Sequence, residues 1–438
     1  MRLRPHSLTF TLLLGALVTL ASFATDMGLP VLSSTAASLG VSPATAALTM
    51  SVFMAGFAFG PLVLGPMSDR HGRRPLLLLG CATFALFGAL GAFVSSLPAL
   101  LLWRFFMGAG AGTVAVLVIA TVRDHFGGAE ARVRQSYVNL AGGLAPIIAP
   151  TLGVWIASLG GWRAIYGALA VGGAVLLALA ALFMEESVPS GRRAQLTVRG
   201  TLRNYARVIR HPVSMGYATV VALLFGCLFA YVSGSSLVLI GVMGVRPGVY
   251  GVLFAMTSLG LVFGSFANAR LNRLGVSHTR LIEAGLITVV AVALSLLVLA
   301  VSGVLHPALL VGLIVVSHVG HAIVRANAAQ GALEPMPEIA GVASAVLTGL
   351  QMVVGAVSSA VAASLFDGRS AMAMTGTMSV CALGALTVYV GVVRPAERRD
   401  QQHRTRAVSQ ALAGMSAPHA GVSVATTVHS LRSVSVVR

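Results

Sequence analysis

The chain has 438 residues, of which 57% are hydrophobic and only 9% charged, with a mean hydropathy of +0.90. That composition excludes a soluble globular protein and leaves little length for a soluble domain. The formal net charge of +17 comes from 29 basic residues, all of them arginine; set beside long apolar runs, they point to topology and anionic lipid headgroups rather than to nucleic acid.

A membrane-crossing helix needs about 20 mostly apolar residues, and such runs recur about a dozen times. The first covers 8–32. It resembles a signal peptide at its start, but it continues through Asp26 without a small-x-small cleavage site and reads as an uncleaved span. The second ends near Pro66, where Gly65 to Arg74 packs one acid and three arginines into a short turn. Spans three and four cover 75–94 and 98–122, and a polar loop over 123–134 leads to spans five and six at 135–158 and 164–184. Residues 185–211 form the longest polar interior segment, with an amphipathic stretch around 202–209 suited to a membrane surface. Six further spans follow at 212–240, 250–269, 281–302, 308–324, 339–366 and 371–393, and the basic tail 394–438 reads as disordered.

This pattern predicts an all-α integral membrane protein of twelve transmembrane helices in two six-helix bundles. The bundles are 1–184 and 212–393, joined by a cytoplasmic linker. Counted by alternate loops, 25 arginines fall on one side, against Arg163, Arg246 and Arg369 on the other. The positive-inside rule then puts both termini in the cytoplasm. Cys81, Cys227 and Cys381 each lie inside an apolar run, so neither a disulfide framework nor a metal cluster is expected.

Two intramembrane charges stand out. Asp26 sits among apolar residues of the first span, where an acid costs about 2.5 to 3.5 kcal/mol on insertion scales. Such a carboxyl either carries protons or is held by a permanent partner. Arg104, in Leu101-Leu102-Trp103-Arg104-Phe105-Phe106, must pair with an acid, with backbone carbonyls or with water. Asp26 is its expected partner in at least one state; the alternative is a staple to a neighbour's carbonyls. His318 and His321, at i and i+3, share a helix face without a further ligand nearby; a second protonatable site or polar packing is expected in place of a metal. Met50 and Met54 lie one turn apart, suited to an adaptable apolar wall, although in a chain with 16 methionines plain core packing is the commoner role. No phosphate-binding loop or nucleophile elbow appears, so neither ATP nor any other cofactor is expected, and the chain does not read as an enzyme.

The turn Gly65-x-x-x-Asp69-Arg70-x-Gly72-Arg73-Arg74 resembles the signature loop between the second and third helices of the major facilitator superfamily of secondary transporters. Ser22 to Pro30 resembles the first helix of its Bcr/CflA-type drug and proton antiporters, with Gly28 where an aromatic is usual and Ser33 where a proline is. Arg104 falls at a family position followed by Gln, here Met107. Gly142, Gly143, Pro146, Pro150 and Gly153 resemble the antiporter motif, with Ala149 and Val154 replacing two of its glycines. Tyr231 to Leu237 lacks the group's Ser-Pro-Phe ending, whereas Ala340 to Gly355 matches its eleventh helix.

The resemblance implies proton coupling through Asp26 and Arg104, and a gate made of Gly65, Asp69, Arg70, Gly72, Arg73, Arg74, Arg123 and Asp124. In that gate Arg73 reaches Asp124, and Asp69 faces a helix N-terminus. It also implies a bent antiporter helix at Pro146, Pro150 and Gly153, and substrate contacts from Met27, Met50, Met54, Tyr231, Ser235 and Gln351. The function expected is proton-coupled export of small drug-like organic molecules across the inner (cytoplasmic) membrane by alternating access, with protons and the lipid bilayer as partners and the chain acting as a monomer. A proton symporter importing a metabolite and a non-transporting membrane receptor are the rival readings.

Overall fold

The computed structural model describes residues 6–187 and 198–399. The side chain of Asp69, part of the linker and the tail beyond 399 lie outside that description, so the expectations placed on them are not addressed below.

The described residues are helical, without a β-strand. α1 (Leu8–Asp26) starts where Ser7 Oγ accepts from Phe10 N at 3.2 Å, satisfying one of the free N–H groups of its first turn. It stops at Asp26. A 3-10 turn at Leu29–Val31, with Pro30 inside it, separates α1 from α2 (Leu32–Leu39), so the single first span expected over 8–32 is divided just past the acid. α3 (Pro43–His71) and α4 (Arg73–Ala92) run almost into each other. The Arg-rich turn shrinks to Gly72, whose φ of 101° and ψ of 155° suit only glycine.

α5 (Leu97–His125) reaches past its expected end, and the polar loop after it reduces to Phe126 and Gly127 before α6 (Gly128–Phe183). At 56 residues α6 would be about 84 Å long if straight, nearly three times a hydrocarbon core of about 30 Å. It is broken at Gly160 and Gly161, where the backbone is not helical and Gly161 takes a φ of 69°. α7 (Val198–Arg210) is the amphipathic helix before the second half. α8 (Pro212–Ser236), α9 (Pro247–Arg273), α10 (His278–Val301), α11 (Pro307–Leu333), α12 (Ala340–Ser364) and α13 (Met372–Val388) complete the chain. Eleven helical segments among the described residues are long and apolar enough to cross a membrane, the broken α6 counting as one.

One boundary shift matters. The tenth expected span ended at Val324, with Arg325 in a loop, but α11 continues to Leu333. The added residues, Ala-Asn-Ala-Ala-Gln-Gly-Ala-Leu, include good helix formers. Asn327 Nδ2 also donates to Asn268 Oδ1 of α9 at 2.6 Å, which ties the extension to its neighbour. Arg325 is thereby moved into a spanning helix.

The apolar core is in two main parts. Phe10, Leu14, Phe53, Phe84 and Leu117 anchor the first, built from the first-half helices. Tyr217, Tyr231, Leu286, Ile314 and Tyr389 anchor the second. Contacts across the seam lie toward the arginine-poor side. There Leu32, Ala36, Ala46 and Ala47 pack with Leu237 and Ala363, and Leu29 and Met50 join the second core. Ser51 Oγ donates to Ser359 Oγ at 3.0 Å. Small residues at such crossings let the backbones approach, which drives association where lipid is as apolar as leucine.

Candidate functional site

Asp26 is 5% exposed at the last residue of α1, beside the seam. Arg104 of α5 is 4% exposed. Its Nη1 donates to the Ala24 carbonyl at 2.8 Å and its Nε to the Thr49 carbonyl of α3 at 3.2 Å. Its guanidinium carbon lies 4.4 Å from the centre of the Phe53 ring. The last carbonyls of a helix lack intrahelical partners, so Arg104 caps the end of α1 with a full positive charge where the helix dipole favours one.

The expected Asp26–Arg104 ion pair is not formed in this conformation, because the planar fork of the guanidinium is already committed to two carbonyls and a ring. Across the seam, Tyr250 of α9 lies within electrostatic reach of Asp26. Its hydroxyl shares a 2.9 Å hydrogen bond with Ser235 Oγ.

Beside these groups lies a cavity of about 40 Å³ lined by Thr25, Thr49, Met50, Arg104, Tyr166 and Ser233, among others. It has room for water but not for a drug-sized molecule. Of the expected substrate contacts only Met50 lines it. Met27 packs into the first core, and Met54 abuts Gly355 of α12, where an added Cβ would lie 2.5 Å from its methyl carbon. Tyr231 and Ser235 are turned into the second half, where Tyr231 Oη pairs with Thr257 Oγ1 at 3.1 Å and Ser235 with Tyr250. Gln351 is buried and bonds back to the Leu347 carbonyl.

Pro146 and Pro150 lie inside α6, where each removes one ladder hydrogen bond. Gly153 is where α6 meets the end of α1: a Cβ there would sit 2.1 Å from the Met27 carbonyl oxygen. α6 therefore presses on the chain one residue past Asp26, a contact only glycine permits.

On the arginine-rich side, Arg73 Nε donates to Asp124 Oδ2 at 3.1 Å and Arg73 Nη1 to Ser68 Oγ at 2.7 Å. Arg74 Nη2 donates to the Ala181 carbonyl at 2.6 Å. Gly65, Arg70 and Arg123 sit on the same surface, Arg70 and Arg123 exposed. Sequence reasoning missed Glu186. Its carboxylate accepts from Arg73 N at 2.8 Å and Arg74 N at 3.2 Å, an anion on the N-terminus of α4. Its signal was the Glu185-Glu186 pair directly after the sixth span, facing a chain otherwise so poor in acids. These described contacts hold α3, α4, α5 and the end of α6 to one another, all within the first half.

A helical membrane protein with two cores, a narrow polar seam and a charged turn beneath it has the architecture of a secondary transporter, not of an enzyme. Residues 13–359 match the model of the Major Facilitator Superfamily, and the chain belongs to that family. It is 30% identical to the Bicyclomycin resistance protein homolog of Haemophilus influenzae over 87% of this chain and 95% of that protein. It is also 30% identical to the Multidrug resistance protein MdtL of Shewanella oneidensis, over 74% of this chain and 80% of that one. Among solved structures it superposes on a bacterial homolog of the human lysosomal transporter Spinster in an inward-facing, occupied conformation (TM-score 0.67, 14% identity, 90% and 98% of the two chains). It superposes as well on the xylose transporter XylE of Escherichia coli in a partially occluded inward-open conformation (TM-score 0.65, 14% identity, 87% and 97%). At that identity these two likenesses speak to fold alone.

Proposed function

We propose that this membrane transporter exports small drug-like organic molecules in exchange for protons, with Asp26 as the proton carrier. The observation that carries the reading is a carboxyl buried at the seam, with no ion-pair partner among the described residues, at a helix end that Arg104 caps. A lone carboxylate there is costly, and protonation relieves the cost. In this state, closed toward the arginine-poor side, Asp26 holds its proton. Opening toward the arginine-rich side lets a cytoplasmic substrate enter and the proton leave. Reversal then loads Asp26 from outside, and each entering proton is worth about 2.3 kcal/mol per 100 mV of membrane potential. The resistance named in the bicyclomycin and multidrug relatives supports export of drug-like cargo.

On this reading α6 crosses twice, hinged at Gly160 and Gly161, which makes twelve crossings in two bundles and leaves both termini in the cytoplasm. The protein sits in the inner membrane as a monomer, and the Arg73–Asp124 and Glu186 contacts set the footing against which the bundles rock. The test is transport in inverted membrane vesicles from a pump-deficient host. An imposed pH gradient, acid inside, should drive uptake of an antimicrobial dye by the wild type and not by Asp26→Asn. Undiminished gradient-driven uptake by that variant would remove the role from Asp26.

A further inference from the structure

The second half holds an arginine that the transport reading above leaves without a task. Arg325 lies eight residues before the end of α11, about 12 Å inside the helix. Its side chain is exposed although the residue lies within the helix.

Its direction follows from the helix itself. His318, His321 and Arg325, at i, i+3 and i+7, share one face. His318 Nδ1 bonds the Thr257 carbonyl of α9 at 2.8 Å, and its ring stands edge-on to Tyr231 of α8. That face therefore looks into the bundle. The exposed apolar side chains Leu309 and Val316 mark the lipid side, and Val316 lies about two and a half turns from Arg325, on the opposite surface. Lipid headgroups are on the wrong side.

No acid of the second half serves this cation. Glu283 pairs with Arg394 at 2.7 Å, Glu338 with Arg207 at 3.7 Å, and Glu397 accepts from the Tyr217 hydroxyl. Asp367 is tied into its own loop through Arg369 N and Ser370 N. Glu334 lies past the helix end. Among the described residues Arg325 has no ion-pair partner. His321, 3% exposed and within electrostatic reach of Arg325, has an Nε2 atom with no hydrogen-bond partner. A cation inside a spanning helix calls for a compensating anion or water, and an unpartnered ring nitrogen beside it calls for a polar group.

We infer that Arg325 and His321 form a subsite for the carboxylate, or a similar compact anion, of an amphiphilic organic substrate. The fork of Arg325 binds the two oxygens, and His321 Nε2, sealed from solvent in this conformation, offers one further hydrogen bond once the site opens. This rests on the exporter reading and narrows its cargo to molecules with an acidic group and an apolar body. Substrate enters with its anion toward α11, while the proton site on α1 lies across the seam, so the two charges are handled by opposite halves.

The test uses full-length protein in nanodiscs of zwitterionic lipid and a matched pair of probes, 2-naphthoate and its neutral amide, 2-naphthamide. Thermal unfolding reports binding, because a ligand of the folded state raises the melting temperature. Naphthoate should stabilise the wild type at concentrations where naphthamide does not. Arg325→Gln should weaken naphthoate on the order of 30-fold, as expected when the cation of a hydrogen-bonded charge pair is removed, and Arg325→Lys should keep part of the effect. Arg325→Gln leaves no ion pair broken, so its melting temperature without probe should stay close to that of the wild type. Equal responses to the two probes, no response to either, or an unchanged naphthoate response in Arg325→Gln would overturn the subsite. So would an Arg325-dependent stabilisation by added phosphatidylglycerol in place of naphthoate. Gradient-driven dye uptake that still depends on Asp26 would in each of those cases leave the exporter reading standing.

Discussion

The two halves treat charge within their spanning helices in opposite ways. In the first, Arg104 is locked onto the Ala24 and Thr49 carbonyls and Asp26 stands beside it unpaired. In the second, the hydroxyls of Tyr231, Tyr250, Ser235 and Thr257 are paired with one another, and the cation Arg325 stands unpaired. A fixed group thus organises each half and a free one is left to react. Of the free groups one is an acid and the other a base, and on the reading proposed above the chain trades a proton on one wall and holds an anion on the other.

The sharpest way to break this contrast is Asp26→Asn. Gradient-driven transport should fall roughly 100-fold or more, the scale of a lost proton-transfer group, while the melting temperature holds or rises because a neutral isostere is cheaper to bury. A transport assay paired with thermal unfolding reads both. Arg104→Lys comes next. Lysine keeps the charge but loses the fork, and a stability loss of about 2 kcal/mol is expected from weakened hydrogen bonds to carbonyls that have few other donors. If Arg104→Lys melted like the wild type, the capping role at the end of α1 would be wrong.

Gly153→Ala should cost about 1 to 3 kcal/mol by overpacking against the Met27 carbonyl. Gly142→Ala, whose new Cβ would meet only Val18 at 3.5 Å, serves as the tolerant control. In the second half Tyr231→Phe leaves Thr257 Oγ1 still bonded to the Phe254 carbonyl, so about 1 kcal/mol is expected, with no change in how transport responds to pH. A changed pH response would mean that both halves carry protons, and the contrast would fail. Smallest of all, a double-mutant cycle on Arg73 and Asp124, both partly exposed, should give a coupling of about 0.2 to 1 kcal/mol.

Much of this was legible in residue order. Repeated runs of about 20 mostly apolar residues announce a membrane protein. The Gly-Asp-Arg-Gly-Arg-Arg turn and the acid of the first span carry the family, because each is costly where it stands. What could not be read was depth and pairing. Arg325 looked like a loop residue because an arginine after an apolar run is the usual end of a span; only the helix-forming residues beyond it and the Asn327–Asn268 contact carry the helix on. For Arg104 the sequence left Asp26 and a neighbour's carbonyls both open, and only the fold decides between them, because the carbonyls that hold it are backbone groups that every residue has. Tyr231 and Ser235 were expected to face substrate, and which way a hydroxyl turns depends on the neighbouring helix. Glu186 was passed over because its target is a helix N-terminus and not a side chain.

The break at Gly160 and Gly161 gives α6 a property the other spans lack. Its two legs share one continuous backbone across the break, with no loop between them. One leg bears on the chain beside Asp26 through Gly153, and the other ends at Ala181, whose carbonyl holds Arg74. On the exporter reading, a shift at Asp26 is therefore passed along one backbone, not through a loop, to the charged contacts at the other end of α6.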